Sequence, residues 1–485
     1  VKVTVRIASM ISTLFLLVPP GWAQINNSLF FMPGVPQTNR INPAHQPLCK
    51  FYIGVPMLAA ARAELSSSSF AYGDVIYPHP TEDSLITFLH PSGDKQAFLD
   101  LLKPINYVIS DLGTALISFG FDTEIGFFSM DVTTRVDGNL YYSGDMAQLL
   151  LSPPEEGKIY RFDGSAIDLS AFDELSVGWT REIVRGLQVG VRGKMLFGVG
   201  NLITTRSELQ MTTSQEVWHV RADMEFNASL PFAELTYDEE GNFEDIALKE
   251  DLRTFNAWRL PRYMFNMQNL GLGLDLGVNY RPLPELLLSA SVLDIGYMKW
   301  KDELHQINFN TEFDYLGLEG NPVGVPEGMT LREHLDSLIN ETLDSLSSDL
   351  VFSPGTAYSQ RLNPKLYVGA SYHITPKISF GILSRTDFLK EKIAEQITGS
   401  ANLTTGRLLN FTLTYSYMQS YFSNVGAGVS LNAGPLNLYL ISDNALNILF
   451  WPERTRSVNL WFGLNLMFGY RERVTKLYQD RPLVY

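Results

Sequence analysis

The chain reads as a succession of segments in which apolar and polar residues alternate. In the last long one, Val458, Leu460, Phe462, Leu464, Leu466 and Phe468 share one face, while Asn459, Gly463, Asn465 and Gly469 share the other. Leu366, Val368, Ala370, Tyr372 and Ile374 repeat the pattern opposite Lys365, Gly369, Ser371 and His373. Leu272, Leu274, Leu276, Val278 and Tyr280 stand opposite Gly273, Asp275, Gly277, Asn279 and Arg281, and Trp218, Val220, Ala222, Met224 and Phe226 opposite His219, Arg221, Asp223 and Glu225. Successive side chains of a strand point to opposite sides of the sheet, so each run predicts a strand with one apolar face.

Several of these segments run 11 to 15 residues, against roughly five or six for a globular strand. Their polar faces carry Gly, Asn, Ser and Thr more than Lys and Glu. From residue 24 onward there is no run of 18 uncharged apolar residues. A chain of this kind crosses lipid only as a closed barrel, because lipid satisfies no backbone polar group. The pattern predicts an all-β fold, a transmembrane antiparallel up-and-down barrel rather than a soluble sandwich or propeller.

Connection lengths support this reading. Sixteen strands are expected between residues 51 and 469, or fourteen if split pieces belong together; among the sixteen are 186–200, 203–213 and 215–229. Tight connections at 121–124, 183–186, 213–214, 281–284, 375–376, 404–406 and 432–435 all follow even-numbered strands. Long excursions at 73–113, 135–167, 230–268, 301–357 and 443–455 all follow odd-numbered ones. Short turns at one end and long loops at the other are the barrel pattern. One residue resists the register: strict alternation through 286–300 puts Asp294 on the lipid face with Leu288 and Val292. A mid-bilayer carboxylate is costly, so a β-bulge near Asp294 is expected, or a strand that has reached the interface with Tyr297 and Trp300.

Composition narrows the function classes. Of 485 residues, 18 % are charged and 12 % aromatic, whereas a soluble domain carries roughly 25 % charged residues. A net charge of −15 argues against a nucleic-acid partner. The single cysteine excludes a disulfide scaffold or Cys-rich zinc module, and Cys49 is read as an unpaired buried thiol. Lys2 and Arg6, the apolar run 11–18 and the sequence Pro19-Pro20-Gly21-Trp22-Ala23 predict a signal peptide cleaved after Ala23. Removing it takes the net charge to −17. The expected organisation is a signal peptide at 1–23, an N-terminal plug or periplasmic segment at 24–50, a barrel at 51–469 and a periplasmic tail at 470–485, placed in the outer membrane in contact with its lipid.

Candidate chemistry is sparse. The acidic stretch 237–251 is read as a solvated loop rather than a calcium site. The seven histidines form no cluster at metal-ligand spacing, and no Gly-x-Ser-x-Gly elbow is present. Neither an enzyme activity nor a cofactor or metal is expected. His219, Arg221, Asp223, Glu225, Asp275 and Arg281 are lumen-lining candidates, for solute passage or, preferably, for bracing the interior. The box Thr330 to Glu333 predicts the start of a helix, and Phe98, Leu101, Leu102 and Ile105 another short one.

The stretch Phe31 to Ala44, ending in Asn42-Pro43-Ala44, the first strand at Phe51 and the closing run Asn459 to Gly469 resemble a Bacteroidetes-type family of outer-membrane barrels without assigned function. That family is distantly similar to the FadL-like long-chain fatty-acid transporters and to the barrel shuttle of the type IX secretion system. The resemblance implies passage of a hydrophobic small solute, with Asn42, Pro43 and Ala44 as a turn in the plug. The alternative it implies is a scaffold or shuttle for secreted or surface-attached protein partners. One departure is that residues 470–485 follow Phe468, where many such chains end.

Overall fold

The computed structural model describes residues 27–152, 155, 157–213, 218–237, 243–253, 260–315, 350–389, 393–405, 408–418 and 422–470. The signal peptide at 1–23, the box at 330–333, part of the acidic stretch and residues 471–485 of the tail lie outside them. Fourteen strands make the wall. β1 comes in two pieces, Phe51–Gly54 and Ala61–Ser67. It is followed by β2 (Ile105–Thr123), β3 (Gly126–Ser143), β4 (Ala166–Val184), β5 (Leu187–Thr213), β6 (Leu270–Leu283) and β7 (Leu286–Trp300). β8 is again in two pieces, Tyr358–Arg361 and Lys365–His373. The last six are β9 (Ile378–Phe388), β10 (Ile393–Thr405), β11 (Leu409–Met418), β12 (Phe422–Ala433), β13 (Leu436–Ser442) and β14 (Ser457–Phe468).

Each strand pairs antiparallel with the next, and β14 closes on β1 through Phe51↔Phe468 and Arg62↔Trp461. Closure leaves no sheet edge to lipid. Side chains alternate as the sequence required. Leu272, Leu276, Val368, Ile382, Tyr415, Leu440 and Leu460 are exposed on the outer surface, whereas Asp275, Asn279, Asn402, Thr414, Asn437 and Asn465 are buried inside. The outer belt is the surface that a barrel presents to lipid.

The strand count resolves to fourteen because β5 is a single strand of 27 residues. Its first part, Leu187–Phe197, pairs with β6 in the wall. Its second part, from Asn201 to Thr213, runs past the wall and pairs with Trp218–Ser229. That strand pairs with Leu304–Tyr315, which in turn pairs with Leu350–Pro354. The segments expected at 203–213 and 215–229 therefore build an extension sheet at the long-loop end, not two more wall strands. One face of this sheet is covered by a packed cluster of Tyr160, Phe162 and Met211 with Met146, Leu149 and Leu209 against it. A sheet with one covered face alternates with the same period as a barrel wall.

At Asp294 the wall bulges. Leu274 pairs with Ile295 and Leu276 with Val292, so Leu293 and Asp294 together face Asp275. Asp294 takes φ +58, and the extra residue inverts the parity of the strand beyond it. Asp294 turns inward, Tyr297 is brought outward, and Trp300 is fully buried inside rather than at the interface.

The interior is occupied by the chain's own start. Residues 27–49 lie within the barrel, with a short helix at Asn27–Phe30 and a 3-10 turn at Pro36–Arg40. Leu29, Phe30, Phe31, Met32, Val35 and Ile41 form one buried cluster with Leu293, Tyr367, Leu383, Tyr439, Ile441 and Trp461 of the wall. The wall glycines make the room: a Cβ on Gly381 would lie 2.4 Å from the Phe31 ring, and one on Gly369 2.9 Å from that of Phe30.

Candidate functional site

The inner segment is fixed to the wall along its length. At its start, the Asp443 carboxylate accepts the backbone N–H groups of Asn27 and Ser28 at 3.0 and 2.7 Å. Ser28 Oγ lies 2.7 Å from Thr414 Oγ1. Midway, Gln37 and Asn465 exchange two side-chain hydrogen bonds of 2.7 and 3.1 Å. Near the short-turn end, Asn42, Pro43 and Ala44 form a turn seated on β4, β5 and β6. Thr180 Oγ1 donates to the Pro43 carbonyl at 2.6 Å, Asn42 Nδ2 donates to Asn279 Oδ1 at 3.1 Å, and Asn279 Nδ2 donates to the Ala44 carbonyl at 3.0 Å. Two glycines admit this turn. A Cβ on Gly190 would lie 2.1 Å from the Pro43 carbonyl carbon, and one on Gly277 2.1 Å from Asn42 Oδ1. Past it, Cys49, the chain's single cysteine, is buried against Tyr52, Phe127 and Met467, as the sequence predicts of its thiol.

Above the turn, the interior holds a chain of ion pairs. Arg40 of the inner segment reaches Asp131 at 2.7 Å; Asp131 also contacts Arg192 and accepts from Ser118 Oγ at 2.7 Å. Next to it, Lys194 Nζ lies 2.6 Å from Asp294 and 2.8 Å from Asp275, and the backbone N–H of Asp294 donates to Asp275 Oδ1 at 2.7 Å. Arg135 lies 3.4 Å from Glu174 and 3.5 Å from Asp294, and Lys365 lies 3.7 Å from Asp294. Charges this deep persist only when paired and hydrogen-bonded, and breaking such a set leaves an uncompensated charge. The network binds β3, β4, β5, β6, β7 and β8 across the barrel.

Between this network and the long-loop end lies a cavity of about 1220 Å³, its open mouth included. Asp111, Arg135, Asp294 and Lys365 border both it and the smaller space beside Arg40. One side of its lining is apolar, with Phe172, Met298, Trp300 and Leu362; the rest carries charges of both signs, among them Glu64, Asp137 and Arg385. Phe172, Met298 and Trp300 pack as one buried cluster with Leu196.

The sequence-selected residues divide. Asp275 stands in the central network. Asn42, Pro43 and Ala44 form the seated turn. Arg281 is half-buried near the short-turn end, where its backbone N–H donates to the Gly186 carbonyl at 2.7 Å. His219, Arg221, Asp223 and Glu225 do not line the lumen: they sit on the extension sheet, outside the wall. There Arg206 donates to Asp223 at 2.7 Å and to Glu225 at 2.6 Å, and His219 Nε2 lies 3.0 Å from Glu312. The hydrogen bond from Arg206 holds the Glu225 carboxyl below its ordinary value. Burial holds His305, on a neighbouring strand, below its own. The physical reason for the misplacement is that alternation reports a face, not the strand's partner. The central charges Asp131, Arg135, Arg192 and Lys194 carried a usable signal, since they keep inward parity within β3 and β5. No group of three or more His, Cys, Asp or Glu residues able to hold a metal occurs among the described residues.

Among the solved structures to which the chain is similar are the following three. The toluene transporter TbuX of Ralstonia pickettii matches at 9 % identity over 89 % of this chain and 94 % of that one, with TM-score 0.40. The toluene transporter TodX of P. putida matches at 9 % identity over 89 % and 93 %, with TM-score 0.39. A Pseudomonas aeruginosa FadL homologue matches at 9 % identity over 93 % and 100 %, with TM-score 0.38. No curated protein matches the chain. A family model described as "Family of unknown function (DUF5723)" matches residues 43–443.

Proposed function

The chain belongs to that family of unknown function, and from this premise we propose that it is an outer-membrane channel for a small solute, closed by its own N-terminal segment. One observation carries the reading: residues 27–49 run through the interior from Asp443, at the long-loop end of β13, to the short-turn end beside β14, and a cavity that faces the long-loop end lies beside them. In this reading the cavity takes the solute first. Passage then requires the segment to shift from its seats at Thr180, Asn279, Asn465 and Asp443. Those seats are hydrogen bonds, worth about 0.5–1.5 kcal/mol each, and one ion pair, Arg40 with Asp131. The apolar cluster of Leu29 to Ile41 with the wall holds the segment as well, so a shift that opens a path keeps most of that cluster packed. Cleavage after Ala23, as the sequence predicts, would leave Asn27 close to the mature N-terminus, in keeping with a plug.

The expected hydrophobic solute needs one amendment. The patch of Phe172, Met298, Trp300 and Leu362 suits an apolar body, but Glu64, Asp137 and Arg385 on the same lining would be desolvated by a wholly apolar molecule. Burying a charge without a partner is expensive. The solute is therefore amphiphilic, with an apolar part and a polar or charged head. The reading assigns transport, not catalysis.

The test locks the plug. Ser28→Cys with Thr414→Cys, in a Cys49→Ser background, joins two side chains already in contact. Proteoliposome swelling is then followed with benzoate, a neutral polyol and leucine, each under oxidising and reducing conditions. At least one solute enters with the bond reduced, and none with it formed. Entry that is indifferent to the bond, or no entry in either state, overturns the proposal.

A further inference from the structure

The cavity lining keeps binding capacity of both signs. Arg385 is 5 % exposed. Its Nε and Nη2 are engaged by Asp387 at 2.9 Å each, yet Nη1 has no hydrogen-bond partner among the described residues. On the acidic side, Asp137 pairs with Arg135 through Oδ2 at 3.2 Å, but Oδ1 accepts nothing. Glu64 lines the same cavity, where it feels the opposite charges of Arg385 and Lys365. Buried polar atoms are normally satisfied, so unpaired donors and acceptors around one space describe the ligand that completes them. An anion would answer the guanidinium N–H groups and be repelled by Glu64 and Asp137; a cation would meet the reverse. Only a molecule carrying both charges answers both sets.

We propose that this cavity takes a small zwitterion with an apolar body, an α-amino acid with an apolar side chain being its simplest form. The ammonium group faces Glu64 and Asp137, the carboxylate takes Nη1 of Arg385, and the body lies on Phe172, Met298, Trp300 and Leu362. This rests on the reading of the barrel as a solute channel, and it adds the chemistry of the head group.

Three matched probes separate the charges: phenylalanine, 3-phenylpropanoate, which lacks the ammonium, and 2-phenylethylamine, which lacks the carboxylate. Calorimetric titration of the full chain in detergent micelles gives their affinities. Phenylalanine binds at least about tenfold more tightly than either analogue, a difference of one charged contact. Glu64→Gln removes its advantage over 3-phenylpropanoate, and Arg385→Gln removes its advantage over 2-phenylethylamine. Each variant is first checked for the heat-modifiable mobility of a folded barrel. Trp300→Ala, which touches neither charge, weakens binding of phenylalanine while preserving the order of the three, and so keeps the test open if a charge variant fails to fold. An analogue that binds within tenfold of phenylalanine overturns the zwitterion and leaves the channel standing. Failure of all three to bind overturns the cavity as a docking site, and the channel reading with it.

Discussion

The backbone N–H of Asp294 donates to Oδ1 of Asp275 at 2.7 Å, across a bulge that turns the Asp294 side chain to the same side of the wall. One inserted residue thereby converts what would be a lipid-facing carboxylate into the partner of Lys194, Arg135 and Lys365. Asp294→Gly tests this without straining the backbone, because glycine accepts φ +58 freely. Removing the carboxylate leaves buried cations short of a partner, and the expected loss is about 3–5 kcal/mol. Urea unfolding in micelles, followed by tryptophan fluorescence, measures it. A variant as stable as the parent would show that the network does not brace the barrel.

The Asn42-Pro43-Ala44 turn depends on bare backbone at two wall positions. Gly277→Val puts a side chain where Asn42 Oδ1 and the Ala44 nitrogen lie, at 2.1 and 2.9 Å from the new Cβ. The outer face of β6 is untouched, so the wall folds while the inner segment lifts. Cys49 reports the change natively, since it is the single thiol and fully buried. Maleimide labelling of the folded protein should accelerate about tenfold or more, as expected when a local opening is eased by one or two kcal/mol. Unchanged labelling would mean that the turn tolerates a side chain at that seat.

The extension sheet should loosen in acid before the wall does. Glu225 is held below its ordinary value by Arg206, so it adds stability above its unfolded value and loses it as pH falls through the folded one. His305 is held low by burial, so its protonation in the folded state costs stability as pH falls below its ordinary value. Both signs agree: the His305 share is lost as pH falls below about 6.5, and the Glu225 share as it falls below about 4.5. The Arg206 pairs are exposed, so their share is small. Hydrogen exchange across 204–213, 218–229 and 304–312, corrected for intrinsic pH dependence, should rise in that range while β9 to β12 stay protected.

Much of the architecture is written in alternation and loop length, and what escapes has identifiable causes. Leu272, Leu274 and Leu276 against Asp275 and Asn279 place one strand correctly, because the two faces meet lipid and interior. The same period at 219–226 arises where one face is covered and the other wet, and only its pairing with the far half of β5 reveals that it is no wall strand. The bulge at Asp294 is visible in sequence as a charge out of register. The glycines of the inward faces are misleading in a different way: Gly369 and Gly381 suggest a wet lumen, yet they are spaces filled by Phe30 and Phe31. The cavity itself joins β1, β3, β7 and β9, residues far apart in the chain, and no spacing rule brings Glu64, Asp137, Trp300 and Arg385 together.

The central claim is that residues 27–49 close the barrel, and single-channel recording in planar bilayers tests it most directly. The full chain is compared with a variant lacking residues 27–42, which retains the whole wall and the entry into β1. The account predicts that the full chain stays closed for most of the record and that the shortened chain opens a steady pore. Equal conductance from the two, or a closed shortened chain that is correctly folded, would contradict it.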